Sequence, residues 1–405
     1  MERKPDWLPG FPVQIYCNRR FNRNIMKKKL CTIILSTSIL CSLLSGCSDK
    51  HVAIIMDNAK ALSLTQEIAE SLKQEDYGIQ SYTFLEYIQE NLPGRIAGTE
   101  KEKEMASFIS AVLLNGGYSE NDIKIKSFDI EEGVPLMDES VENAFDGGKN
   151  SQSSQNIEVV KNGESEKTII VGAHYDSAGT HGVDDNGSGV AVALENALRM
   201  IDVETQYTIR YVFFGAEETG MHGSREYVNS LKEKEKDNIV LMINIDSILA
   251  GDNLYLYGGS INDKGVVENV EAVKKAYEIA KKANLPMQLT PEGNVDYPHP
   301  TGQKRSDHAP FSDLGIPYIY FEANNWLNGL PVETEKHGLI MHSDKDDLSF
   351  IENEYGERAK DTLANYSHLL HLILQEDNWE SYHIEELSAT KQVCESPGVS
   401  HQSER

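Results

Sequence analysis

The sequence predicts a single α/β domain with a central mixed, mostly parallel sheet flanked by helices. Two observations predict this class. Short apolar runs alternate with amphipathic helical segments from about residue 157 to residue 374, as a mostly parallel sheet requires. Several of these runs end in polar residues, and open α/β sheets place their ligands at the carboxyl ends of their strands. The fold class therefore also predicts where a functional site lies.

Helical sequence comes first and is expected to pack on one face of the sheet. The predicted helices are 58–75, 81–91 and 100–114. Leu92-Pro93-Gly94 separates the second helix from the third, and Gly116-Gly117 ends the third. Thr99 is a candidate N-cap for this third helix.

Strands and the remaining helices follow in alternation. The predicted strands are 123–128, 157–160, 168–172, 208–214, 239–245, 254–257 and 316–321, and the predicted helices are 189–200, 224–236, 263–283 and 351–374. The stretch 131–155 is polar, acidic and low in β-branched residues, which predicts a long loop. We expect one domain over residues 58–387 and a disordered tail over 388–405.

The first 46 residues indicate a targeting segment. Lys27-Lys28-Lys29 precedes an uncharged, mostly apolar stretch over 30–44, and Leu44-Ser45-Gly46-Cys47 follows. This tetrapeptide resembles the lipobox of bacterial lipoproteins, in which the cysteine is lipidated and becomes the first mature residue. The resemblance implies a start at Met26, a lipid bilayer as partner through Cys47, a tether over 47–57 and a domain outside the cytoplasm in the cell envelope. A retained membrane anchor is the alternative, although the apolar stretch is short for one.

Composition narrows the partners and the chemistry. The formal net charge of −26 argues against a nucleic-acid partner, because the phosphate backbone would be repelled. Four of the five cysteines lie at or before Cys47 and the fifth is Cys394 in the tail, so the predicted domain has no internal disulfide. A metal ion there must bind to nitrogen and oxygen ligands.

The stretch HYDSAGTHGVDDNGSG over residues 174–189 joins a predicted strand to a predicted helix. His174 and Asp176 point to the same side of an extended chain, so the carboxylate can fix the tautomer of the imidazole. Asp184 then supplies an oxygen ligand to a cation that His174 holds. The alternative is a surface loop whose aspartates and glycines only form turns.

Polar residues at other strand ends can join this stretch. Glu217 and Glu218 follow an apolar strand, and their side chains diverge, so Glu218 can bind a metal ion while Glu217 takes a proton from water. Asp246 ends a buried strand and needs a cation or hydrogen bonds, because burying a lone charge is costly. His342 is a weak signal by itself.

The ordered set of motifs resembles peptidase family M28, the co-catalytic di-zinc aminopeptidases. The motifs are GAHYDS at 172–177, GVDDNGSGVA at 182–191, FFGAEETGMHGS at 213–224, NID at 244–246, RSDHAPF at 305–311 and HSDKD at 342–346. GRIAGTEKEKEMASFI at 94–109 also resembles the start of the family's N-terminal helix. The resemblance covers about residues 85–374, and it implies the fold of the zinc-dependent exopeptidases.

The resemblance implies a site with two zinc ions. Its implied ligands are His174 and Asp246 for one ion, Glu218 and His342 for the other, and Asp184 bridging both. It implies a cis peptide bond between Asp184 and Asp185.

The resemblance also implies roles for the residues around the ligands. Glu217 is the general base, Asp176 orients His174 and Asp346 orients His342. Arg305 contacts the substrate or its oxyanion, and the alternative is an ion pair with Asp307 or Asp313. Ser306-Asp307-His308 is expected to be structural rather than a catalytic triad.

The implied activity is removal of N-terminal residues from peptide substrates, through a hydroxide held by both metal ions, with Glu217 taking the proton and passing it to the leaving amine. Three alternatives stay open: a carboxypeptidase or dipeptidase on the same site, a glutaminyl cyclase with a single zinc ion, and a receptor-like binding protein without catalysis. The loop over 293–303 is expected to shape the substrate pocket.

Overall fold

A computed structural model describes residues 76–130, 153–262, 266–291, 300–301, 304–326 and 332–380. The leader, Cys47, the tether, the helix predicted over 58–75, the tail over 388–405 and most of the loops predicted over 131–155 and 293–303 lie outside the described residues. Within the described part of the chain, no helix combines the length and the apolar character that crossing a bilayer requires.

The domain is built on an eight-stranded sheet in the order β1-β2-β4-β3-β5-β10-β6-β9. Among the described residues, the strands are β1 Ile123–Asp129, β2 Ser153–Lys161, β3 Ser165–His174, β4 Tyr207–Phe214, β5 Ile239–Ile245, β6 Asn253–Tyr257, β7 Ser260–Ile261, β8 Val267–Glu268, β9 Met287–Leu289 and β10 Tyr318–Asn324. Of these, β7 and β8 form a separate pair. The four central strands, β4, β3, β5 and β10, are parallel. Antiparallel pairing occurs outside them, where β1 pairs with β2, β2 with β4, and β6 with β10. The predicted fold class, with a mixed and mostly parallel sheet, is confirmed.

Helices cover both faces of this sheet. They are α1 Ile79–Asn91, α2 Glu100–Asn115, α3 Gly189–Met200, α4 His222–Ser230, α5 Glu233–Asn238, α6 Glu271–Lys282, α7 Ala309–Asp313, α8 Leu348–Tyr355 and α9 Arg358–Leu374. One large hydrophobic cluster joins one face of the sheet to α1, α2, α3, α6 and α9. A smaller cluster joins the other face to α4 and α7. Thr99 caps α2 as expected, since its side chain accepts a hydrogen bond from the Glu102 N–H.

Helix α3 lies at the centre of the larger cluster, and all its residues are buried. Its Glu195 carboxylate accepts hydrogen bonds from the backbone N–H of Gly78 and Ser81 at the start of α1 and from the Ser367 hydroxyl of α9. Arg199, one turn further along α3, completes the set with an ion pair at 2.8 Å. A buried carboxylate is tolerated when it is paired and hydrogen-bonded. This network therefore fixes α1 and α9 to α3, the helix that follows the segment between His174 and Gly189.

Several predicted boundaries were wrong for identifiable reasons. The helix expected over 224–236 is divided into α4 and α5 at Leu231, whose backbone is extended. The helix expected over 351–374 is divided into α8 and α9 by Gly356, whose φ of 65° is left-handed. The helix expected over 263–283 begins only at Glu271, because β8 precedes it.

Strand β2 begins at Ser153, within the stretch that was predicted as a loop. Two of its first residues are polar but buried, and both find partners: Ser154 donates to the Glu102 carboxylate of α2, and Asn156 donates to the Gly223 carbonyl of α4. Polar residues that find partners inside the domain hide the alternation by which strands are recognised. The sequence pattern therefore placed the start of this strand four residues too late.

Candidate metal centre

The polar residues predicted at separate strand ends converge at one edge of the sheet. His174 is the last residue of β3, Asp246 follows β5, and Glu217 and Glu218 lie in the turn after β4. His342 reaches them from the segment before α8. These residues line a cavity of about 440 Å³, together with Asp185 and residues of β6 and β10. Parallel strands bring their carboxyl ends to a common edge, which explains why residues so far apart in sequence meet here.

One group of candidate ligands consists of His174, Asp185 and Asp246. The His174 Nε2 atom lies 3.1 Å from Asp185 Oδ1 and 3.3 Å from Asp246 Oδ1. All three side chains are buried. Their ligand atoms lie within 4.8 Å of one another, which is compact enough to surround a single ion.

A second group shares Asp185 with the first. The His342 Nε2 atom lies 3.0 Å from Asp185 Oδ2 and 3.0 Å from Glu218 Oε2. Each oxygen of the Asp185 carboxylate therefore faces a different histidine. This arrangement gives one carboxylate a place in two adjacent ligand groups.

The chemistry of the donor set fits zinc. Three carboxylates face two imidazoles in a poorly hydrated site, and such a concentration of negative charge needs compensating cations. Within the described part of the chain, the Glu218 Oε1 atom is buried with no hydrogen-bond partner. Imidazole nitrogen and carboxylate oxygen are ligands that zinc accepts. Hydrogen bonds from His174 and His342 lower the pKa of Asp185 although burial would raise it, so its carboxylate is ready to bind a cation.

The structure places Asp185, rather than the predicted bridging residue Asp184, between the two histidines. The Asp184 side chain points away from the cavity, and its Oδ1 atom accepts a hydrogen bond of 2.7 Å from the Leu249 N–H. Neighbouring side chains in an irregular turn diverge, and here only that of Asp185 reaches the histidines. The cis peptide bond is displaced in the same way, since it joins Asp185 to Asn186 rather than Asp184 to Asp185.

The role predicted for Asp346 is also corrected. Its Oδ1 atom accepts a 2.6 Å hydrogen bond from the Asp184 N–H, and its Oδ2 atom accepts a 3.4 Å hydrogen bond from the Asp185 N–H. Both carboxylate oxygens thus hold the backbone of Asp184 and Asp185 rather than the imidazole of His342. Asp346 is fully buried, and this burial raises its pKa to about 7.

Asp176 connects the first histidine to the two glutamates. Its Oδ1 atom lies 3.5 Å from His174 Nδ1, on the side of the ring opposite the ligand group. The same carboxylate accepts hydrogen bonds from the backbone N–H groups of Glu217, at 3.0 Å, and Glu218, at 3.2 Å. The buried Asp176 carboxylate therefore orients His174 at the end of β3 and the backbone of the two glutamates after β4.

Glu217 lines the cavity but belongs to neither ligand group. Burial raises the pKa of its carboxyl well above the ordinary value, and Asp307 contributes in the same direction, whereas the positive charge of His174 opposes the shift. A half-buried carboxylate beside a metal centre, but not engaged by it, is suitably placed to accept a proton.

Asp246 is held by residues that the sequence did not assign to it. Its Oδ2 atom accepts a 2.6 Å hydrogen bond from the Ser306 hydroxyl and a 2.9 Å hydrogen bond from the Tyr320 hydroxyl. Ser306 therefore positions a candidate ligand, in keeping with its expected structural role. Arg305 is exposed and lines the same cavity. The expected alternative partner Asp313 pairs with Lys304 instead.

Arg95 is a buried residue beneath the site whose role the motif GRIAGT did not reveal. Its guanidinium donates to the backbone carbonyls of Tyr175, at 2.8 Å, and Gly182, at 2.7 Å, and also to those of Leu92 and His181. These bonds hold together the two ends of the loop over residues 175–182, which lies between His174 and Asp184. Burial lowers the pKa of Arg95 to about 10, so it stays charged at neutral pH.

Gly182 is required where this loop passes Arg95. Its φ of 61° is left-handed, and an added Cβ atom would lie 2.5 Å from Ser177 Cβ and 2.7 Å from Arg95 Nη2. Both the backbone conformation and the close packing therefore exclude a side chain.

Arg95→Met is expected to reduce the free energy of unfolding by at least about 3 kcal/mol, since each buried acceptor left without a partner costs about 1–3 kcal/mol. Urea denaturation of the metal-free protein measures this loss. Arg95→Lys is the comparison, because one ammonium group cannot reach all four carbonyls, and it should recover only part of the loss. A urea unfolding midpoint equal to that of the wild type for Arg95→Met would show that the bonds from Arg95 to the backbone carbonyls do not stabilise the fold.

Comparison with known proteins decides the family. The model of peptidase family M28 matches residues 156–367, which is just over half of the chain. The chain belongs to peptidase family M28. The predicted family and the predicted hydrolase class are thereby confirmed, and membership of this M28 family implies zinc as the metal.

The chain aligns with different shares of its curated relatives. The alkaline phosphatase isozyme conversion protein of Escherichia coli is 29% identical over 259 residues, which are 58% of this chain and 70% of that protein. Aminopeptidase YwaD of Bacillus subtilis is 32% identical over 224 residues, which are 53% of this chain and 44% of that protein. The probable lipoprotein aminopeptidase LpqL of Mycobacterium tuberculosis is 41% identical over 99 residues, covering 24% of this chain and 20% of that protein.

Solved structures share the M28 fold. The zinc aminopeptidase BSAP of Bacillus subtilis superposes with a TM-score of 0.54 at 20% identity, covering 73% of this chain and 94% of that one. The glutaminyl cyclase of Porphyromonas gingivalis superposes with a TM-score of 0.53 at 20% identity, covering 76% and 99%. Both peptidases and cyclases therefore share this architecture, and the choice between them depends on the site.

Proposed function

We propose that this M28 protein is an aminopeptidase that uses two zinc ions. The observation that carries the proposal is the pair of adjacent ligand groups that share Asp185, with Glu217 beside them and outside both. His174 and Asp246 would hold one ion, Glu218 and His342 the other, and Asp185 both. The relatives that are named aminopeptidases support the same activity.

Glu217 performs the proton transfers in this proposal. Bound zinc ions supply Lewis acidity, which polarises the scissile carbonyl group and lowers the pKa of a nearby water molecule. The Glu217 carboxylate accepts the proton of the attacking water and delivers it to the leaving amine. Asp176 keeps Glu217 in place through the backbone hydrogen bond at 3.0 Å.

The charges that line the cavity favour a free amino terminus over a free carboxyl terminus. A carboxypeptidase needs a cationic side chain for the carboxylate of its substrate. Among the described lining residues the cavity has one arginine, Arg305, which is exposed, and no lysine. Carboxylates outnumber cationic side chains among these lining residues, which suits an ammonium group instead.

Two alternatives are less well supported by the site. A glutaminyl cyclase with a single zinc ion would need one ligand group, whereas the residues that the structure describes form two. A receptor-like protein without catalysis would not need Glu217 placed beside both groups. All the candidate ligands lie in one cavity.

The proposal is tested with zinc-loaded protein and a panel of aminoacyl-anilides, each beside its N-blocked counterpart. We expect turnover of the free-amine substrates only, loss of turnover after treatment with a chelator, and recovery when zinc is returned. Cleavage of the blocked substrates, or no turnover although two zinc ions are bound, would contradict the aminopeptidase proposal.

We also propose that the chain is anchored to a membrane through a lipid on Cys47. The lipobox-like LSGC sequence supports this, as does a relative that is named a lipoprotein aminopeptidase. Expressed in a bacterial host, the wild-type chain should incorporate labelled palmitate and partition into detergent. Cys47→Ser should lose both properties, and equal labelling of the variant would rule out Cys47 as the anchor.

A further inference from the structure

One wall of the cavity is formed by alternate residues of β10. Tyr320, Glu322 and Asn324 line the cavity, whereas Phe321 and Ala323 are buried in the larger hydrophobic cluster. This division follows from the strand, in which successive side chains point to opposite faces. Glu322 is thus turned into the cavity by the pleat of the strand.

The surroundings of Glu322 are aromatic. Tyr257, Tyr320 and Trp326 all line the cavity, and the rings of the two tyrosines lie 4.5 Å apart. The Trp326 indole N–H donates a 2.6 Å hydrogen bond to Glu322 Oε2. This wall can accommodate a long aliphatic side chain, and its rings can also attract a cation.

Glu322 is a carboxylate that the metal centre does not use. It belongs to neither ligand group, its exposed fraction is only 7%, and among the described residues no lysine or arginine forms an ion pair with it. Burial raises the pKa of Glu322 to about 8, so a cationic group bound beside it would favour its charged form.

The position of Glu322 suits the side chain of a substrate's first residue rather than its α-amino group. The α-amino nitrogen is bonded to the carbon next to the scissile carbonyl group, so it must stay close to the ligand groups. The Glu322 carboxylate belongs to neither ligand group, and it is held by Trp326, which follows the end of β10. The side chain of lysine or arginine is long enough to extend from the scissile bond to such a group.

We propose that Glu322 makes this cavity selective for substrates whose first residue is lysine or arginine. The proposal rests on the proposed aminopeptidase function and names its substrate class. Tyr257, Tyr320 and Trp326 would enclose the aliphatic part of the side chain, and the Glu322 carboxylate would pair with its charged end.

The test compares anilides of arginine, lysine, leucine and citrulline, because citrulline has the shape of arginine without its charge. The wild-type protein should show a higher kcat/KM for arginine and lysine than for citrulline and leucine. Glu322→Gln, which keeps an acceptor for Trp326, should reduce the ratio of arginine to citrulline at least about 10-fold. Glu335→Gln removes the same charge from an exposed residue outside the cavity and should leave the ratio unchanged.

Two results would overturn the proposal. One is a wild-type preference for leucine or citrulline over arginine. The other is an equal loss for all four substrates in Glu322→Gln, which would assign the carboxylate to the α-amino group or to the fold.

Calorimetry with free arginine and free citrulline separates this proposal from the proposed function and needs no variant. The zinc-loaded wild-type protein should bind arginine more tightly. If it does so but cleaves no free-amine substrate, the proposed function fails and the selectivity of the cavity stands. If arginine and citrulline bind equally, the selectivity fails whatever the activity.

Discussion

Glu217→Gln is expected to lower kcat by about 10²- to 10⁴-fold, the usual contribution of a general acid–base residue, while the zinc content stays at the wild-type level. Glutamine has the same shape but cannot accept a proton. Glu217 lies outside both ligand groups, so its replacement removes no candidate ligand. Steady-state kinetics beside metal analysis of the same samples measure both quantities.

Glu218→Gln is the matched control, since it makes the same change in the adjacent residue, whose Oε2 atom lies 3.0 Å from His342 Nε2. It should lose zinc together with activity. A kcat for Glu217→Gln within 10-fold of wild type would place the base elsewhere. Loss of zinc from Glu217→Gln would make this residue a ligand.

Asp185→Asn is expected to release zinc and abolish turnover, whereas Asp184→Asn should keep both. Asp185 presents one carboxylate oxygen to each histidine, so the substitution weakens both ligand groups at once. The asparagine side chain of the second variant would still offer an oxygen to the Leu249 N–H, which is the bond that Asp184 makes. Zinc titration of both variants distinguishes the adjacent residues.

The opposite result for Asp184→Asn and Asp185→Asn would reverse the assignment of the shared carboxylate. If Asp184→Asn releases zinc and Asp185→Asn does not, the shared carboxylate is Asp184, as the sequence motif first suggested. Measuring the unfolding midpoint of each metal-free variant shows whether loss of zinc follows from loss of the fold.

The sequence predicted the strand ends of the site well because apolar runs mark them. His174, Glu217, Glu218 and Asp246 all follow such runs, and the structure brings them together in one cavity. The prediction of Asp184 rather than Asp185 does not match the structure. The choice depends on the backbone of an irregular turn, where Asp185 has a φ of −110° and a ψ of 95°.

The supporting contacts could not be predicted because they join distant segments. Arg95 bonds to carbonyls about eighty residues further along the chain, and Asp346 holds a turn that lies far before it. Arg95 lies in the motif GRIAGT, next to a helix start, but the motif does not indicate which backbone carbonyls its guanidinium reaches. Two helix ends were missed because the amphipathic sequence pattern continues across Leu231 and Gly356. The helical backbone conformation is interrupted at both residues.

Anomalous diffraction at the zinc edge, on crystals of the zinc-loaded protein, tests the central claim most directly. The account predicts two peaks about 3.5–4 Å apart, the usual separation in two-metal sites, with the Asp185 carboxylate between them. His174 and Asp246 should contact one peak, and Glu218 and His342 the other. A single peak in fully loaded crystals, or a second peak that Asp185 does not contact, would contradict the shared two-metal centre.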